Sequence, residues 1–489
     1  MECCLNIPPL HYSIIQKLPY YPKGYIMFDK KIYINRRNKL KKQLKSGLLL
    51  FPGNEEPAMN YAGNTYAFRQ DSSFLYFFGV DQADLCGVID IDNDEEIIYG
   101  NEFDIYDIIW MGQQTTIRNK AARAGIRKTE PLKNLSVKIN DAVRRGVKIY
   151  YLPQYRYKII NWMSELLGIQ PGAINKYASP DLIRAVVTQR SKKIKEEVEE
   201  IEYALDISYE MHTTAMRMAE PGMIEQEVAA AIEGIALSMG PGISFPPIVS
   251  VHGEILHNHT HNNKMKKGDL MVNDSGAESY LHYASDITRT FPVDRKFTGR
   301  QKEVYEIVLK AQLDSIKAMK PGRKFRDVHL LAARTITVGL KELGLMKGDV
   351  DEIVKSGAHA MFFPHGLGHM MGLDVHDMEG LGEDYVGYTD KIKRSEQFGL
   401  AYVRMGKELE PGYVITVEPG IYFMPDLIDF WRGDKKFRQF INYDKVEKYI
   451  GFGGIRIEDD VLVTKEGHRV LGKKSIPKTV DEVEGMCSA

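Results

Sequence analysis

The chain has 489 residues, enough for two to four domains of ordinary size, and 44% apolar with 27% charged residues is the composition of a soluble globular protein. Its 65 Lys and Arg against 66 Asp and Glu leave a formal charge of -1, so no basic excess drives nucleic-acid binding. No apolar run reaches the roughly 18 residues a membrane span needs.

The N-terminus lacks a charged segment followed by an apolar one, so it does not read as a signal peptide. Residues 1–26 read as an N-terminal extension, with a more regular sequence starting at Met27. Cys3, Cys4, Cys86 and Cys487 are too few and too scattered for a disulfide framework, which favours a reducing, cytoplasmic setting. From 27 to 188, β-rich runs at 46–52, 86–92 and 147–153 alternate with helix-like stretches around Arg36–Leu44 and Asn161–Leu167, the pattern of an α/β layer domain.

A second domain is placed at 189–489. It opens with a plausible N-cap at Ser191 and a long amphipathic helix whose apolar face is Ile194, Val198, Ile201, Leu205, Met211, Ala215 and Met218. Pro221-Gly222 ends it. The order helix, Pro-Gly, helix (225–239) is echoed at about 300–319, Pro321-Gly322 and 326–344, and each pair precedes strand-rich sequence with acidic residues. Such duplication suggests an α+β core with a pseudo-two-fold axis and a site upon it.

Asp274 ends an apolar strand, and Asp286 follows after a hairpin. Two carboxylates returned to one face repel each other and need a cation, a shared proton or solvent. As a lone pair they would read as ordinary surface residues. His365, His369 and His376 crowd one Gly-rich apolar stretch (362–380), which favours a catalytic or metal role. Glu418 and Glu458 sit inside apolar, β-branched sequence, where a carboxylate is costly without a positive partner. Four carboxylates and one imidazole suit a bridged pair of Mn, Co or Zn ions, and such a pair can hydrolyse an amide.

The segments ASDITRTFPV, HGLGHMMGLDVHD, VEPGIYF and GIRIEDD resemble, in order, the metallopeptidases of the pita-bread fold, and most closely the proline-specific branch of aminopeptidase P and prolidase. The likeness covers roughly 190–470. It implies a C-terminal pita-bread catalytic domain in which Asp274 ligates one metal, Asp286 and Glu458 bridge both, and His369 and Glu418 complete one each. It further implies two divalent ions, most simply Mn2+, with a bridging hydroxide as nucleophile. By the same resemblance His257 would hydrogen-bond substrate or intermediate and His376 would stabilise the oxyanion. Glu418 would accept the proton of the attacking water, His365 would line the pocket, Arg404 would meet substrate, and Arg456 would hold carboxylates in place. His252, His259, His261 and His282 read as bystanders, though His259 and His261 could shape the pocket mouth.

FRQDSSFLYFFG (68–79) and DIIWMG (107–112) resemble the aminopeptidase P N-terminal domain. That likeness implies a homodimer or homotetramer in which Trp110 approaches a neighbour's substrate; otherwise Trp110 is a core aromatic. Three features depart from the family pattern. Asp274 and Asp286 are one residue further apart than usual, Phe245 stands where relatives often carry Tyr, and long insertions occupy 380–403 and 424–453. The insertions belong at the site mouth, where they could restrict substrate length or contact another subunit. The expected activity is removal of the first residue from peptides with proline second (Xaa-Pro aminopeptidase). Cleavage of Xaa-Pro dipeptides (prolidase) is the alternative, and a metal-free binding module on the same fold is a remote one.

Overall fold

The computed structural model describes residues 27–489; the extension expected at 1–26, with Cys3 and Cys4, lies outside the described residues. After helix α1 (Lys30–Leu44) comes β1 (Leu48–Pro52), every residue of which is buried. Helix α2 (Ser72–Phe78) is also buried throughout and ends at the left-handed Gly79. Strands β2 (Cys86–Asp90) and β3 (Glu95–Tyr99) follow, then the exposed helix α3 (Ile105–Met111), β4 (Lys128–Glu130) and β5 (Ile149–Tyr151). The sheet runs β4-β3-β2-β1-β5, with β1 and β5 parallel and β1, β2 and β3 antiparallel. The central strands β1 and β2 are buried throughout and send alternate side chains into two apolar clusters, one on each face, whereas the edge strand β4 is partly exposed.

Helix α4 (Pro180–Arg190) leads to α5 (Lys195–Met218). Ser191 closes α4 rather than opening α5. The first turn of α5 is capped instead by Glu197, whose carboxylate accepts the Ile194 N–H at 3.0 Å. Helix α6 (Glu225–Met239) packs on α5, and α7 (Gly299–Ala318) packs on α8 (Phe325–Glu342). Each pair is followed by antiparallel strands. The first set is β6 (Ile248–Ser250), β7 (Leu270–Ser275) and β8 (Ile287–Pro292), ordered β8-β7-β6. The second contains β9 (Val414–Val417), β10 (Gly420–Tyr422), β11 (Gly454–Arg456), β12 (Asp459–Val463) and β13 (His468–Val470), with β10 on β11 and β9-β12-β13 as a three-stranded sheet. This is the α+β pita-bread arrangement behind an α/β domain.

The hairpin between Asp274 and Asp286 turns at residues 279–283, where the Ser279 N–H reaches Tyr283 O at 2.9 Å. His282 N–H closes onto Ser279 at 2.8 Å, and His282 then adopts φ +65° before Tyr283 rejoins the ladder. The turn closes with that left-handed residue, and Asp274 pairs with Thr288 on β8.

His329 on α8 is wholly buried, with neither ring nitrogen hydrogen-bonded among the described residues, and burial pushes its pKa from 6.5 to about 3. The unfolded chain gains a proton there below pH 6.5 that the native state refuses until about pH 3, so stability is lost as pH falls through that window. His329→Leu is expected to flatten the fall in denaturation midpoint between pH 6.5 and 4.5 by one proton's worth, measured against the parent protein.

Candidate active site

Glu418 and Glu458 occupy the joints between strands rather than strand interiors. Glu418 lies between β9 and β10 with its N–H on Leu367 O at 2.8 Å, and Glu458 lies between β11 and β12 with its N–H on Thr288 O at 3.0 Å. Both side chains therefore turn into the space beside β7 and β8. Asp286 enters from the start of β8, its N–H held by the Asp460 carboxylate at 3.1 Å. His369 arrives on the Gly-rich loop, where Gly368 lies so close to β9 that a Cβ would stand 1.9 Å from Thr416 O. That approach lets His369 exchange hydrogen bonds with Thr416, through Oγ1 at 3.1 Å and through the backbone at 3.0 Å.

Ligand-type atoms of Asp286, His369 and Glu458 all lie within 4.8 Å of one another. His369 Nε2 is 3.4 Å from Asp286 and 3.7 Å from Glu418. Asp274 joins through Arg456, whose Nη2 donates to Asp274 Oδ2 at 2.6 Å. All five side chains line one cavity of about 620 Å³, together with His257, His365, His376, Arg404 and Arg456. The structure thus brings together every candidate except Trp110. That residue is 86% exposed on α3 and does not line the cavity of its own chain, so the core-aromatic reading falls.

The electrostatics are those of a cluster in which four carboxylates outnumber the two guanidinium groups of Arg404 and Arg456. Burial pushes Asp286 well above the usual carboxylate range, and the charges of Glu458 and Asp274 push it further. Burial and the Glu418 and Asp274 charges do the same to Glu458. Glu418 rises to about 7 through burial, against the pull of Arg456. Burial keeps His369 well below its ordinary value and His365 at about 3; with its Nδ1 on Met370 O at 3.1 Å, His369 turns Nε2 toward the carboxylates. Asp274 Oδ1, Asp286 Oδ1 and Glu458 Oε1 are buried without a hydrogen-bond partner among the described residues. Buried carboxylate oxygens left bare beside a neutral imidazole fit divalent cations, which would supply the missing charge.

Several partners are invisible in a linear reading. Tyr422 OH accepts from Arg456 Nη1 at 3.0 Å and meets His365 Nε2 at 2.8 Å, bringing a hydroxyl to this wall although Phe245 supplies none. Thr288 donates to Glu458 Oε2 at 2.7 Å. The only available signal was parity: Tyr422 follows Glu418 by four residues, and Thr288 follows Asp286 by two. Among the bystander histidines, His259 lines the cavity, His261 bonds Pro247 O at 3.1 Å, His252 bonds Glu254 at 3.1 Å, and His282 lies between Asp81 and Glu278. The two insertions meet over the cavity. Phe398 and Tyr402 line it from one side and Leu427 of α9 (Pro425–Gly433) from the other, with Phe398 packed edge-on against Trp431 at 5.6 Å.

Residues 199–465 match metallopeptidase family M24, and residues 33–150 match the aminopeptidase P N-terminal domain. The human Xaa-Pro dipeptidase is 32% identical over 452 residues, covering 89% of this chain and 88% of that protein. The Escherichia coli Xaa-Pro aminopeptidase is 32% identical over 468 residues, covering 93% and 97%. Among solved structures, the aminopeptidase PepP of Pseudomonas aeruginosa superposes with a TM-score of 0.77 at 28% identity, covering 95% of this chain and 99% of that one. Zn-substituted E. coli aminopeptidase P in complex with product gives 0.76 at 30% identity, with the same coverage.

Proposed function

Because this chain belongs to metallopeptidase family M24 and carries an aminopeptidase P N-terminal domain, we propose that it is an Xaa-Pro exopeptidase, removing the residue that precedes proline at a peptide N-terminus. It is a hydrolase of the metalloexopeptidase kind, and its family uses divalent metal ions. The observation that carries the reading is the convergence of Asp286, His369 and Glu458, with bare buried oxygens, on the cavity that also holds Asp274 and Glu418.

Asp274, Asp286, His369, Glu418 and Glu458 would hold two ions, for which the oxygen-rich set favours Mn2+ over softer metals, although Co2+ or Zn2+ would also fit. When bound, the ions would polarise the scissile carbonyl and activate the attacking water. The chain's own groups do the rest. Glu418 takes the water proton and passes it to the proline nitrogen. His257 and His376, both lining the cavity, hydrogen-bond substrate and the developing oxyanion. Arg456 keeps Asp274 facing inward, and Tyr422 ties Arg456 to His365. Arg404 meets the substrate backbone or carboxylate.

One observation favours the dipeptidase reading. The insertions place Phe398, Tyr402 and Leu427 on the wall of the cavity that Arg404 also lines, where they would restrict substrate length. A peptide-length series with Mn2+ present separates the readings. Turnover of both Gly-Pro and Xaa-Pro-Pro tripeptides is expected for the aminopeptidase, turnover of Gly-Pro alone for the dipeptidase, and turnover of neither would refute both. A second copy of the chain would cover α3, where Ile105, Ile109, Trp110 and Met111 are all more than half exposed, placing Trp110 near a neighbour's substrate in a homodimer or homotetramer. No helix among the described residues is long and apolar enough to cross a membrane. The buried, unpaired thiols of Cys86 and Cys487 agree with a cytoplasmic setting.

A further inference from the structure

One carboxylate beside the cavity has partners on two of its walls. Glu379 Oε2 accepts the Nδ1–H of His376 at 2.5 Å, and Glu379 Oε1 binds the Arg404 guanidinium. His376 and Arg404 line the cavity, whereas Glu379 stands behind them. The His376 ring lies 4.1 Å, centre to centre, from that of His369. With Nδ1 engaged, Nε2 is the nitrogen left for substrate. Half-burial raises the Glu379 pKa, but the His376 hydrogen bond and the Arg404 charge outweigh it and hold the group at about 2. Glu383 reaches the same Arg404 nitrogen at 3.3 Å, yet its other partner is Arg394 and not a histidine.

We propose that Glu379 is a positioning residue for Xaa-Pro cleavage, setting the His376 ring plane and the Arg404 guanidinium as one unit through a single carboxylate. The inference rests on the function proposed above. An imidazole pinned at Nδ1 cannot flip or rotate, so its free nitrogen meets the reacting carbonyl without further ordering. Arg404, reached by two carboxylates on one nitrogen, keeps its remaining donors for substrate.

Glu383 provides the comparison, since it shares Arg404 but not His376. The experiment measures kcat and KM of the metal-loaded protein for Ala-Pro and Ala-Pro amide in the Glu379→Gln, Glu379→Asp and Glu383→Gln variants, with metal content and Tm recorded for each. Glu379→Gln is expected to lower kcat about 10- to 100-fold on both peptides, with metal content and Tm close to the parent. Glu379→Asp should recover part of that loss. Glu383→Gln should act through KM for the peptide with a free carboxylate rather than through kcat. Parental kcat in Glu379→Gln, or equal kcat losses in Glu379→Gln and Glu383→Gln, would overturn the proposal. A kcat loss matched by lost metal or lowered Tm would overturn it too, by making the role structural. A parent protein that cleaves neither peptide overturns the Xaa-Pro reading itself and this inference with it.

Discussion

Glu418→Gln is expected to lower kcat/KM for an Xaa-Pro peptide by about 10²- to 10⁴-fold and to reduce bound metal. Glutamine keeps the size and shape of the side chain, and the Glu418 N–H to Leu367 O bond does not depend on it. What disappears is the negative charge and the ability to accept a proton. Glu418 lies 3.7 Å from His369 Nε2 on the cavity wall, where its carboxylate can both hold an ion and accept a proton. Kinetics and metal analysis on the same sample check this. Glu410→Gln is the comparison, because that residue is exposed and paired with Lys192 away from the cavity. Normal cleavage by Glu418→Gln would remove Glu418 from the site.

The second large effect concerns the loop that carries His376. Asp377 is buried between two nearly inaccessible cations, with Arg190 Nη2 at 2.6 Å and Lys193 Nζ at 2.8 Å. Both cations hold it below the usual carboxylate range despite its burial. Arg190 also binds Ser73 at 3.0 Å, and Ser72 binds Asp374 at 2.5 Å, so the same loop is tied to α2 of the N-terminal sheet. Asp377→Ala leaves the buried Lys193 without its carboxylate and Arg190 with Asp374 alone, at 2.9 Å, and is expected to cost about 3–5 kcal/mol. Asp181→Ala, which breaks the exposed pair with Lys148 at 3.2 Å, should cost no more than about 1 kcal/mol. Denaturant midpoints of the two variants decide this. Equal small losses would show that the buried network adds nothing to stability.

That network explains why FRQDSSFLYFFG is so distinctive. Arg69 reaches Leu373 O at 2.6 Å and Glu278 at 3.1 Å, while Ser72 and Ser73 bind the Asp374–Arg190 cluster. The segment is legible as a motif because its residues serve contacts across some 300 positions, although those contacts are not legible themselves. The metal-type cluster was readable for a different reason. A glutamate in apolar strand sequence carries a local cost, and that cost points to a partner. Glu379 and Tyr422 gave no such signal, because an acid on a polar loop and a tyrosine in a strand are each ordinary alone. The register of Asp274 and Asp286 was not legible, because it depends on the left-handed conformation of His282 in the turn between them. Ser191 misled because it is a good capping residue that happens to end one helix just before another begins.

The most direct test is the divalent-metal content of the purified chain before and after chelation, with Xaa-Pro cleavage assayed at each stage. About two ions per chain are expected, with cleavage abolished by chelation and restored by added Mn2+. Undiminished cleavage by the metal-free protein would contradict the account, as would a chain that binds no divalent metal and is not activated by any.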